Sequence, residues 1–225
     1  MTMDHEIWVV EDDPGAGATA ADFIARQIQE AVGASGRFSM AVSGGKTPWA
    51  MFEHLAGLDL PWSAVSVFQV DERVAPSGDP DRNFAHLEQR LGHLPLGLHP
   101  MPVEDDDLDA AAARYAAELP DRLDLIHLGI GPDGHTASLV PGDPVLQVTD
   151  RTVAITGGAY QGRPRMTLTY RGLERTDQLL WLIAGADKRD ALDGMLAGDP
   201  AYPASAVQAP RSLIITDRAA HPQGN

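Results

Sequence analysis

Apolar and polar positions along the chain switch between a period near two and a period near three and a half, and the switches lay out the elements. Residues 7–10 form a short apolar run of the kind that makes a buried strand. After Asp12-Asp13-Pro14-Gly15 the spacing lengthens, with Ala21, Ile24, Ile28 and Val32 on one helical face and Gly33 and Gly36 at its end. Residues 38–42 and 65–70 predict a second and a third strand. A helix over 84–91, a strand over 98–101 and a helix over 108–119 follow, the last with apolar positions at 108, 112, 115 and 119 and Asp107 as its N-cap. The strand 123–128 comes next. Beyond Pro144 the segments 152–156, 166–170, 179–183 and 212–216 read as strands, with a helix over 188–196, and hairpins are expected in this strand-rich part.

Alternating strand and helix signals argue for an α/β fold with a mostly parallel sheet flanked by helices, ligand binding at the strands' carboxyl ends. The 225 residues suit one domain, 1–225, with neither a linker nor an internal repeat. No apolar run reaches the roughly 18 residues a membrane span needs, and the start M-T-M-D-H-E has acids where a leader would be basic, so a cytoplasmic protein is expected. With 32 Asp and Glu against 17 Lys and Arg, the net charge of −15 disfavours nucleic acid as a partner. A small anion would then need local cations, which makes a few Arg and Lys positions informative. The acidic run 104–107 reads as a solvated helix start, and the chain has no cysteine.

The densest chemistry is L-G-I-G-P-D-G-H-T-A-S-L-V-P-G, residues 128–142. Gly129, Gly131 and Gly134 allow close approach of backbone to a ligand, so the loop could turn its amides toward an anion, and Pro132 stiffens the turn. Asp133, two residues before His135, is placed to orient the imidazole, the side chain best matched to proton transfer near neutrality. His135 is therefore the candidate general base. The literal G-x-G-x-x-G does not signal a dinucleotide, because Pro141 and Pro144 stop the long helix that such a fingerprint opens.

S-G-G-K-T-P, residues 43–48, follows a predicted strand, with Thr47 as a cap and Pro48 at the first helical position. Ser43, Gly44 and Gly45 then lie where free amides and the helix dipole form a phosphate seat. The same residues also read as a plain tight turn. They are not a Walker A loop, which would need glycine where Met40 stands. D-E-R, 71–73, ends a strand, so Asp71 and Glu72 point to opposite sides and one of them can enter a pocket. Arg73 is the first local cation; Arg165 and Lys188 are two more, each also readable as solvated surface. The eight histidines show no metal-ligand spacing, so no metal is predicted, and His127, inside a strand, reads as a packed core residue.

Taken together, S-G-G-K-T-P at 43, D-E-R at 71 with N-F at 83, the loop at 128, R-M-T-L-T at 165 and G-A-D-K at 185 resemble the 6-phosphogluconolactonases, in order, from the first strand to Pro203-Ala204-Ser205. The resemblance implies a Rossmann-like three-layer sandwich of the kind shared with glucosamine-6-phosphate deaminases, a place in the oxidative pentose phosphate pathway, a sugar-phosphate lactone as substrate, and no cofactor. It implies that His135 activates water, that Ser43, Gly44, Gly45, Arg165 and Lys188 surround the 6-phosphate, and that Asp71, Arg73 and Asp133 lie around the lactone ring. Arg82 departs from the serine expected before Asn-Phe, and Val140 from the aromatic residue that often precedes Pro-Gly. Two other readings stay open: an amino-sugar-phosphate deaminase, in which Asp71 would be the base but which resembles this loop with a glutamate at position 140, and a sugar-phosphate sensor without turnover. Oligomeric state is not legible.

Overall fold

The structure is a computed structural model that describes residues 3–221, so the ends of the expected 1–225 domain, residues 1–2 and 222–225, lie outside the described residues. β1 (Glu6–Val10) leads through Asp12, whose carboxylate accepts the Gly15 N–H at 2.9 Å, into α1 (Asp13–Ser35). This helix runs through Gly33 and stops only at Gly36, at φ 76° with its N–H returned to the Val32 carbonyl. Of the two glycines expected to end it, only the one in the left-handed region does so. β2 (Phe38–Val42) is followed by α2 (Lys46–Ala56), two residues ahead of the expected start. The N-cap is Gly45, at φ 137° and ψ 168°, and not Thr47. That backbone conformation is closed to most side chains, so the glycine sets the turn. Pro48 still falls in the first turn, where its missing N–H costs nothing.

β3 (Val65–Gln69), β4 (Asp71–Arg73), α3 (Asn83–Leu91), β5 (Gly97–His99), α4 (Leu108–Glu118) and β6 (Leu125–Leu128) come next. Asp107 caps α4 as expected, accepting the Ala110 N–H at 2.9 Å. Glu104, read as merely solvated, is the partner of the buried Arg82. The remaining elements are β7 (Val153–Ile155), β8 (Arg165–Leu168), α5 (Tyr170–Leu173), β9 (Leu179–Ile183), α6 (Arg189–Leu196) and β10 (Ser212–Asp217). α5 falls where the expected strand 166–170 ended, because the Thr169 hydroxyl accepts the Gly172 N–H and starts a helical turn.

Seven strands form one parallel sheet in the order β1-β10-β9-β6-β2-β3-β5, and β4-β8-β7 form a small antiparallel one. The hairpin expectation holds for β7 and β8 and fails for β9 and β10, which join the parallel sheet. All five residues of β9, Leu-Leu-Trp-Leu-Ile, are buried, as in a strand covered on both faces. Alternate side chains divide the core. Met40, Val42, Leu180 and Ile215 pack with α1, α2 and α3; Ala41, Ile126, Trp181 and Ile214 pack with α4, α6 and the small sheet. The result is a three-layer sandwich. No helix among the described residues is long and apolar enough to cross a membrane.

His127 of β6 is fully buried against the edge of Phe52, and neither ring nitrogen has a hydrogen-bond partner among the described residues. Burial pushes it down to about 3. Free imidazole in an unfolded chain titrates near 6.5, so between the two values the unfolded chain holds a proton that the folded one refuses. Stability is then complete above about pH 6.5 and falls by about 1.4 kcal/mol per unit below it. His127→Leu is expected to remove this term: wild type should lose about 2 kcal/mol more than the variant between pH 7 and pH 5 in urea unfolding. Parallel losses in the two proteins would contradict the assignment.

Candidate active site

Connections leave β2 toward β3 and β5 and leave β6 toward β9 and β10, so the carboxyl ends of β2 and β6 frame the crevice where a parallel α/β sheet binds ligands. A cavity of about 500 Å³ opens there. Nine of the ten site residues expected from sequence line it, from Ser43 after β2 to Lys188 after β9; the exception is Asp133, which stands behind His135 and not in the wall.

The small sheet supplies the cations. β4 pairs with β8 so that Arg73 faces Arg165 and Asp71 faces Thr167, which puts Asp71, Arg73 and Arg165 on one face, toward the cavity. Like charges directly opposite destabilise an antiparallel pair unless something neutral or negative offsets them. Asp71 does part of this, its Oδ2 lying 3.7 Å from Arg165 Nη1 with both side chains buried. Burial lowers Arg165 below the usual guanidinium range, Asp71 opposing that and Arg73 adding to it. Asp71 is itself fixed: the Ser138 hydroxyl donates to Oδ2 at 2.6 Å, and the Asn83 amide donates to Oδ1 at 3.3 Å. Asn83 Oδ1 accepts from Arg73 Nη1 at 2.7 Å, so one amide braces both charges.

Glu72 points the other way, as adjacent strand residues must. It is fully buried and accepts the N–H groups of Asn83 and Phe84, both at 2.8 Å, which caps α3 from outside the helix. Arg82, the departure from the expected serine, is buried between Glu72 and Glu104 and does not line the cavity.

The loop after β6 is a turn closed by the Gly134 N–H on the Gly131 carbonyl, with Pro132 and Asp133 in the middle. It brings His135 Nδ1 to 2.6 Å from Asp133 Oδ1, and the His135 backbone N–H donates to the same oxygen at 3.2 Å. Burial alone would raise the Asp133 carboxyl, but the bond to His135 and the charge beside it outweigh burial and hold it below the usual carboxylate range. With Nδ1–H donated to Asp133, Nε2 is left for a substrate or water. The amides of Gly131 and Gly134 are spent inside the loop, on the carbonyls of His135 and Gly131, so these two do not serve an anion as the sequence had suggested. Gly131 is needed for space: a Cβ there would meet His135 Nδ1 at 2.0 Å.

At the other end, Ser43 is buried and its hydroxyl has no partner among the described residues, although it lines the cavity. A buried donor left unpaired is costly unless a ligand takes it. Gly44 packs so tightly against Asn83 that a Cβ would fall 2.2 Å from its Oδ1. Lys188 closes a 3-10 turn, Ala186–Lys188, ahead of α6, and its ammonium is 3.0 Å from Asp187 Oδ2. It lines the cavity as a paired cation, not a lone one.

Sequence reasoning missed Tyr160 and Gln161, which line the cavity from the β7–β8 connection. The available signal was Gln161-Gly162 between two predicted strands, a hairpin-turn dipeptide. Gln161, at φ 53°, and Ala137, at φ 48°, are the two non-glycine residues in the left-handed region among the described residues, and both line the cavity. Backbone strain is thus concentrated at the site. Among the described residues no group of three or more His, Asp or Glu side chains is placed to hold a metal ion.

The family model described as glucosamine-6-phosphate isomerases/6-phosphogluconolactonase matches residues 11–215. A protein named 6-phosphogluconolactonase from Nostoc is 34% identical, over 94% of this chain and 95% of its own. One from Synechocystis is 37% identical, over 85% and 86%. The crystal structure of a 6-phosphogluconolactonase from Thermotoga maritima superposes with a TM-score of 0.88 at 27% identity, covering 96% of this chain and all of that one. A parallel sheet of this order, a cation-lined crevice at its switch point and matches over nearly the whole length agree: the chain belongs to the glucosamine-6-phosphate isomerase/6-phosphogluconolactonase family.

Proposed function

We propose that the pocket hydrolyses 6-phospho-D-glucono-1,5-lactone to 6-phosphogluconate, the lactonase step of the oxidative pentose phosphate pathway. The observation that carries the reading is the Asp133–His135 pair, 2.6 Å apart, beside a crevice whose walls hold Arg73, Arg165 and the unpartnered Ser43 hydroxyl. Water attacks C1 of the lactone while His135 Nε2 takes one of its protons. The oxyanion formed at C1 is stabilised by the Arg73 guanidinium, which Asn83 holds in place. Collapse of the tetrahedral intermediate breaks the C1–ring oxygen bond, and the proton passes from Nε2 to that oxygen. Water is the only co-reactant needed.

Ser43, the amides that begin α2, Arg165 and Lys188 hold the 6-phosphate, which orients the ring without touching the reacting carbon. Asp71, tied to Ser138, Asn83 and Arg165, serves the ring hydroxyls as an acceptor. The amino-sugar reading finds less support, because position 140 is valine and lies outside the cavity lining, which leaves no acid there to open a ring.

Loss of the phosphate forfeits at least two charge-assisted hydrogen bonds, so kcat/KM for the non-phosphorylated gluconolactone should be lower by about a hundredfold or more. Equal values for the two lactones, with spontaneous opening subtracted from each, would remove the phosphate seat from the scheme.

A further inference from the structure

The loop between β7 and β8 folds back on itself through Tyr160 and Arg163, whose backbone groups exchange hydrogen bonds of 3.0 and 3.4 Å around Gln161 and Gly162, both at positive φ. A two-residue turn of this kind fixes the flanking side chains on one face of the hairpin. It sets the Tyr160 ring between two parts of the site. On one side, Arg165 Cζ lies 5.2 Å from the ring centroid, and Arg165 Nη2 donates to Gln161 Oε1 at 3.2 Å. On the other, the His135 ring centroid is 5.0 Å away. The Tyr160 hydroxyl lies 3.3 Å from His135 Nδ1 and 3.4 Å from Asp133 Oδ2.

We propose that Tyr160 is a positioning residue that couples Arg165 at the phosphate end to the Asp133–His135 pair. This rests on the function proposed above. Since Nδ1–H is given to Asp133 Oδ1, the phenol proton has one acceptor left, Asp133 Oδ2, so each carboxylate oxygen is held by a different side chain. Burial, with the Asp133 charge next, raises the Tyr160 phenol, so it keeps the proton that it donates. Both hydroxyl contacts are longer than an ordinary O–H···O bond of about 2.7–2.8 Å. A small shift of the ring with Arg165 therefore decides how firmly Asp133 is held, and phosphate on Arg165 is what would move it.

Tyr160→Phe keeps the ring beneath Arg165 and removes only the donor. It is expected to lower kcat about three- to tenfold, leave KM unchanged, and move the acid limb of the kcat profile to higher pH, because a carboxylate relieved of one donor holds the imidazolium more strongly. Tyr160→Ala also loses the surface under Arg165 and should raise KM several-fold. Asp133 adjoins the imidazole, and Asp13, Lys46, Asp71, Arg73, Arg165, Asp187 and Lys188 share its cavity; none is altered in Tyr160→Phe, so a moved limb reports the phenol. A residue that merely props up the loop would lower melting temperature in both variants and leave the limb in place. The companion measurement needs no turnover: NMR titration of the His135 ring in the free protein, assigned by its absence in His135→Ala, should show an upward midpoint in Tyr160→Phe. An unmoved midpoint overturns the coupling whether or not the lactone is hydrolysed, whereas a moved midpoint in a protein that does not open the lactone would sink the proposed function alone.

Discussion

Replacing His135 by alanine should lower kcat for lactone opening by about 10² to 10⁴, the usual worth of a positioned acid–base group, while KM stays close to that of the wild type. In the proposed mechanism the imidazole touches the reacting water and ring oxygen, whereas the phosphate and ring hydroxyls fall to Ser43, Arg165, Lys188 and Asp71, which line the same cavity from other elements. Its loss should also leave the fold intact. His135 is partly exposed, its ring bonds Asp133 with the Tyr160 hydroxyl 3.3 Å from the same nitrogen, and neither core cluster includes it. Steady-state kinetics with the spontaneous rate subtracted, beside a thermal melt, checks both halves. A variant that keeps wild-type kcat would move the base to another residue.

Gly131→Ala is the second large effect, and it works through geometry alone. An added Cβ would stand 2.0 Å from His135 Nδ1 and 2.6 Å from Asp133 Oδ1, closer than real Cβ contacts come, so the pair must shift. Gly131 is not among the residues at positive φ, so alanine there is not strained by its own backbone. Displacing a catalytic group by about 1 Å costs on the order of 10² in rate. A loss of kcat of that order, with a melting temperature near that of the wild type, is expected from rate and melting measurements. Full activity would mean that the imidazole tolerates displacement, which a positioned general base should not.

The two predictions differ in how far the sequence alone could reach. Asp133 and His135 are two residues apart, and Ser43, Gly44 and Gly45 are consecutive, so their grouping was legible as local spacing on turns after predicted strands. The hairpin partners were not. β9 and β10 carry runs of apolar residues that fit either a hairpin or a two-sided parallel strand, and only their burial on both faces places them in the large sheet. Arg73 and Arg165 are ninety-two positions apart and become opposite one another only through the β4–β8 register. Asn83 as a brace for Arg73, Tyr160 over the imidazole, and Arg82 buried between two glutamates are likewise products of tertiary packing. The Thr47 cap failed for a different reason: the glycine before Lys46 turned the chain first, and a positive φ leaves no mark in a sequence that already has two glycines in a row.

The most direct test of lactone hydrolysis at this pocket is to follow acid release from freshly generated 6-phosphogluconolactone by the wild-type protein, beside ammonia release from glucosamine 6-phosphate at the same protein concentration. Saturable lactone opening well above the spontaneous line, with no ammonia, is the predicted result. Ammonia release with the lactone opening only at its spontaneous rate would contradict it, and would make Asp71, not His135, the base of this site.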